Sequence, residues 1–164
     1  MNGIDAIRAT LDSTKATLEW FVSDLSDADL LVRPVPGANH IAWQIGNVIG
    51  GDIFLVEAEF PDAAYPKLPD GFAERHGSKF ADHDGSDGLL TKAEYLKLLT
   101  ETRAATVAVL ETLTDADLDR PTGEGLRGFA PTVGRLFLMV AEHTLWHAGQ
   151  FSVVRRKLGR PVLI

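Results

Sequence analysis

His143 and His147 are the side chains of this sequence whose type and spacing best suit chemistry. On an α-helix, residues four apart share a face. Two imidazoles so placed can bind one divalent metal ion, as other helical two-histidine motifs do. Spacing alone is weak evidence, because a pair of partly exposed helix histidines has the same pattern. Position adds to it. Leu136, Val140, His143, His147, Gln150 and Val154 step by 4, 3, 4, 3 and 4, the rhythm of a helix seam packed into a bundle. That seam is apolar at both ends and polar in the middle. Each buried polar group without a partner costs about 1–3 kcal/mol. A metal ion, or a pocket holding water and substrate, would account for three in a row.

A site needs further groups, and the helix that would face this one has its own polar stripe. His40, Gln44, Asn47 and Gly51 step by 4, 3 and 4 beside a mostly apolar stripe of Ile41, Ile45, Val48, Asp52 and Leu55. On composition alone, the polar stripe reads as a solvated face. His40, near the helix start, reads as a local capping residue. Trp43 and Trp146 could line a pocket or belong to the core. Gln150, one turn beyond His147, could orient a ligand or a bound water. Glu142, next to His143, should point elsewhere.

Four long segments must position these groups. Helical periodicity runs over about 2–23, 39–60, 91–113 and 131–158. Thr91-Lys92-Ala93-Glu94 matches a capping box, and Gly159 followed by Pro161 is a stop signal. No segment alternates with the period of a strand. The expected fold class is all-α, a single-domain four-helix bundle over 1–164. A weak internal repeat supports two related helix pairs. Ser26-Asp27-Ala28-Asp29-Leu30, then Arg33-Pro34, matches Thr114-Asp115-Ala116-Asp117-Leu118, then Arg120-Pro121. Each copy should open a short helical turn. The long link over about 61–90, rich in Pro, Gly, Asp and Ser, reads as either functional, covering one end of the bundle, or partly disordered.

Composition sets outer limits. There is no cysteine, which removes disulfides, thiolate metal ligands and a cysteine nucleophile, and suits a reducing cytoplasm. The formal net charge is −7, against nucleic-acid binding. The one basic cluster, Arg155, Arg156, Lys157 and Arg160, fits the carboxyl end of a helix dipole. No targeting signal or membrane-length apolar segment is read, so the expectation is a cytoplasmic protein without a membrane partner. Neither a nucleophile elbow nor a glycine-rich phosphate loop is present.

Trp43-Gln44-Ile45-Gly46-Asn47-Val48-Ile49, together with Glu142-His143 and His147-Ala148-Gly149-Gln150, resembles the DinB superfamily of DinB/YfiT-like metalloenzymes. The resemblance covers essentially the whole chain, including the long middle loop. It implies a four-helix bundle in a mirror variant of the up-and-down topology, and a homodimer. It also implies nickel, zinc or another divalent ion held by three histidines, one from the second helix and two from the fourth. Relatives include thiol-dependent transferases and isomerases that use mycothiol, bacillithiol or glutathione.

Here Asn47 stands where the family has its first histidine. An amide oxygen is a neutral and poorer ligand for borderline metals. Three outcomes stay open: Asn47 coordinates directly or through water, His83 or His76 from the loop completes the shell, or the site is degenerate. The expected metal ligands are His143, His147 and Asn47, with Gln150, Gln44, Trp43 and Trp146 around them. The expected function is metal-dependent thiol transfer or hydrolysis of a small molecule. The alternative is a non-catalytic member that binds a small ligand or a protein partner.

Overall fold

Polar caps decide where the helices begin. The computed structural model describes residues 1–163. Helix α1 spans Gly3–Val22, and the Asn2 side chain accepts from the Asp5 N–H at its start. Helix α3 spans Ile41–Glu57, with His40 as its N-cap. Helix α5 spans Lys92–Glu111 behind the Thr91–Glu94 capping box. Helix α7 spans Val133–Lys157 behind Thr132. Between them lie three one-turn helices: α2 (Asp27–Leu30), α4 (Phe72–Arg75) and α6 (Asp115–Leu118). Each cap satisfies an amide that a helix start otherwise leaves unpaired. No strand forms among the described residues beyond one isolated bridge between Pro121 and Thr132.

The four long helices make the expected bundle, in the ring order α1, α7, α3, α5. One apolar cluster joins the start of α3 (Ile41, Ile45) to the start of α5 (Tyr95, Leu98). A second joins the far end of α3 (Leu55, Val56) to the far end of α5 (Leu110). These two neighbours therefore run in the same direction. A short turn cannot connect parallel neighbours, so the long link carries the chain back along the bundle. On the way it forms α4 and a single 3-10 turn at Ser78–Phe80, which the sequence did not signal.

The repeat has a structural meaning. Asp27 of α2 accepts from the Lys92 N–H at 2.6 Å, at the start of α5. Asp115 of α6 accepts from the Ile4 N–H at 3.1 Å, at the start of α1. Each copy thus caps the first helix of the other pair, so the two helix pairs are stitched reciprocally.

Three of the four basic residues at the end of α7 are engaged structurally. Arg155 is buried and ion-pairs with Asp24, Lys157 donates to the Arg33 carbonyl, and Arg160 pairs with Asp29 at 3.0 Å. No helix among the described residues is long and apolar enough to cross a membrane.

Candidate functional site

Helices α3 and α7 pack side by side and bring the two polar stripes together. The first half of the stripe on α3 is buried rather than solvated, which corrects the composition-based reading: His40 and Gln44 are 4% and 1% exposed, while Asn47 and Gly51 are half-buried. Gln44 Nε2 donates to the Asn39 carbonyl at 2.9 Å, which turns Oε1 toward α7. There it meets Nδ1 of His147 at 3.0 Å. An amide oxygen only accepts, so Nδ1 of His147 carries the proton. The lone pair of that ring is then on Nε2.

Nε2 of His147 faces Nε2 of His143 at 3.1 Å. Two nitrogens bound to one ion at ordinary metal–nitrogen lengths in adjacent positions lie about 3 Å apart. His143 is half-buried, and its ring lies on Gly51. Its Nδ1 is enclosed and has no hydrogen-bond partner. Burial lowers the pKa of both rings; His147 falls to about 4, with the neighbouring His143 adding to the effect. For His143, burial is joined by the charge of Arg103. Both rings are therefore neutral at pH 7, as metal ligands must be.

Asn47 lies between the two points of contact, since Gln44 touches His147 and Gly51 touches His143. Its Nδ2 donates to the His76 carbonyl at 2.8 Å and ties the loop to α3. That leaves Oδ1 without a protein partner among the described residues. The loop histidines do not complete a shell. His76 is buried over Gly46, its ring bridging the Phe72 carbonyl at 2.8 Å and the Tyr95 hydroxyl at 2.7 Å. His83 lies on the wall of a separate hollow. No group of three or more His, Asp or Glu able to hold an ion occurs among the described residues.

The remaining expected residues divide. Trp43 is buried and meets His147 edge-on, ring centres 6.4 Å apart. Trp146 is 56% exposed and, with Phe54, Leu55, Phe129 and Met139, walls an apolar hollow of about 400 Å³ that opens on His143. Gln150 is exposed and touches only the Trp146 carbonyl, at 3.5 Å. It does not belong to the seam, because the buried line of α7 passes through Thr144, His147, Ala148 and Phe151 instead. Glu142 points away, held by Arg135 at 2.7 Å.

Sequence reasoning missed the buried support behind the pair. Arg103 of α5 donates to Asp52 of α3 at 2.9 Å and to Thr144 of α7 at 2.8 Å. It also reaches the Leu11 carbonyl of α1 at 2.9 Å, so one side chain joins all four long helices. Burial pushes the Asp52 carboxyl up to about 6, against the pull of Arg103. The signal was an aspartate inside the apolar stripe of α3.

The sequence pattern of the DinB superfamily matches residues 10–151. The chain belongs to the DinB superfamily. No curated protein matches it in sequence. Solved structures share this fold, among them two from bacteria. A conserved protein of Enterococcus faecalis is 16% identical with a TM-score of 0.75, over 98% of this chain and 99% of that one. YfiT from Bacillus subtilis, described as a probable metal-dependent hydrolase with an unusual four-helix bundle topology, is 17% identical with a TM-score of 0.67, over 96% of this chain and 89% of that one.

Proposed function

We propose that this DinB member is a metal-dependent enzyme, a hydrolase or thiol transferase, acting on a small and largely apolar molecule beside His143. The facing Nε2 atoms of His143 and His147, 3.1 Å apart, carry this reading. The pair fits two adjacent positions on a divalent ion such as nickel or zinc. Gln44 supports the fit by fixing the tautomer of His147, as the partners of metal-bound histidines do. Asn47 Oδ1, on the same face of α3, is the third donor. An amide for an imidazole makes this a weaker site than three histidines would.

A divalent ion held there would lower the pKa of a water or thiol and so supply a nucleophile at neutral pH. The chain's own contribution is to hold two neutral imidazoles ready, and to offer the hollow walled by Phe54, Phe129, Met139 and Trp146 to an apolar substrate.

The second reading is a non-catalytic member that binds a small ligand or partner. The specific observation favouring it is that Asn47 already serves as a tether to the loop. Metal analysis of protein purified without an affinity tag separates the two. The enzyme reading expects close to one nickel or zinc ion per chain after incubation and desalting. Occupancy well below that, even with excess metal, overturns it.

A further inference from the structure

We propose that the hollow between the start of α3 and the loop after α4 binds a small organic monoanion, a carboxylate or phosphodiester carried on an apolar body. The hollow measures about 310 Å³ and is separate from the one beside His143. This proposal does not rest on a metal being bound.

His40 is the buried polar side chain of its lining. The ring is 4% exposed, and its Nδ1 accepts from the Trp43 N–H at 3.0 Å. The proton of the neutral ring must then be on Nε2. Nε2 has no protein partner among the described residues. Unlike Nδ1 of His143, it is not sealed from outside. Open to the hollow, this donor is free for an acceptor held there. The hollow is the space this ring borders.

Arg75 supplies the charge. Its Nη1 donates to the Asp70 carbonyl at 2.8 Å, but no carboxylate lies within ion-pair distance. Two glycines with positive φ, Gly71 and Gly88, make room for it. A Cβ on Gly88 would come to 2.3 Å from Nε. Nearby Arg33 differs. It is neutralised by Asp84 and spent on the carbonyls of His83 and Ala38, so its work is to pin the loop. The free guanidinium is a planar fork suited to an oxyanion.

Trp43, Phe80 and Leu89 give the hollow an apolar wall for the body of the ligand. Exposed His83 and Asp87 complete it. The Asp87 carboxylate disfavours a second negative charge on the ligand, hence a monoanion.

The test uses the full chain labelled with ¹⁵N and titrated with benzoate, methyl phenyl phosphate or the neutral isostere benzamide. Saturable one-to-one shifts of the Trp43 indole and His40 Nε2–H signals are expected with at least one anion. The tighter anion identifies the ligand as carboxylate or phosphodiester. Arg75→Gln should weaken binding by about tenfold or more, the worth of a charge-assisted hydrogen bond. His40→Asn, which keeps an acceptor for the helix cap, should also weaken it. The proposal is overturned if neither anion binds, if benzamide binds as well, or if a folded Arg75→Gln protein binds unchanged.

Discussion

Gly51 of α3 lies directly against the His143 ring of α7: a Cβ there would come to 2.7 Å from Cε1 and 2.9 Å from Nδ1. The helix contact is close because residue 51 has no side chain, and the ring takes that space. Gly51→Ala gains helix propensity, about 1 kcal/mol, while forcing the ring out of line with His147. The expected outcome is a melting temperature unchanged or raised, with nickel or zinc affinity down by about tenfold or more. Calorimetric titration beside thermal unfolding reads both. Unchanged affinity would mean that His143 does not bind metal in the observed rotamer.

Gln44 is expected to act through His147 rather than on the metal itself. Gln44→Met keeps the volume but leaves the Nδ1–H of His147 without an acceptor. Partners of this kind are worth about 10–100-fold in metal affinity. Gln44→Glu should retain or strengthen binding, since a carboxylate accepts the same proton. If Met and Glu variants bind metal equally, Gln44 only packs.

These dependencies were only partly legible in the sequence. The histidine pair, the four helices, the two capping repeats and the capping role of His40 all follow from spacing, because helix geometry is local. The burial of Gln44 was not visible, because its polar stripe becomes internal only when α7 packs over it. Gln150 fits the same heptad rhythm as His147, yet it lies outside. A step-by-step 4–3 pattern drifts around a 3.6-residue helix, and the packed line runs through Phe151 instead. Arg103 is one of six charged residues on α5, and only the fold brings it to Asp52, Thr144 and Leu11.

That arginine carries the largest stability prediction. Arg103→Met would leave the Asp52 carboxyl, already short of one partner at Oδ1, enclosed without a counter-charge. Removing one member of a buried ion pair costs about 3–5 kcal/mol. Denaturant unfolding should show a loss of that size. The double variant Arg103→Met with Asp52→Leu should recover much of it, because no charge is then stranded. A loss below about 1 kcal/mol for the single variant would show that Asp52 folds protonated at no cost.

Acid should destabilise this protein through its buried histidines. In the unfolded chain His40 titrates near its usual 6.5, whereas burial, helped by the charge of Arg33, lowers it to about 4 in the fold. Between those values the unfolded state binds more protons, so stability falls as pH drops from about 6.5 toward about 4. His40→Asn keeps a side-chain acceptor for the cap but does not titrate. The difference in unfolding free energy between pH 7 and pH 4.5 should shrink by about 2–3 kcal/mol in that variant. An identical pH dependence in the two proteins would show that His40 is protonated as easily in the fold as out of it.

Restoring an imidazole at position 47 tests the site most directly. Asn47 lies on the face of α3 between the residue that holds His147 and the glycine under His143. Asn47→His should therefore add a third nitrogen ligand and raise nickel or zinc affinity by about 100-fold. It also removes the amide that holds the His76 carbonyl at 2.8 Å. Without metal the variant should be less stable by about 1 kcal/mol, the worth of that hydrogen bond. With metal it should be more stable than the parent, because an ion that binds only the folded state adds its binding free energy. Paired melting curves with and without metal read both signs. Unchanged affinity would place residue 47 off the metal axis and leave the histidine pair to bind alone.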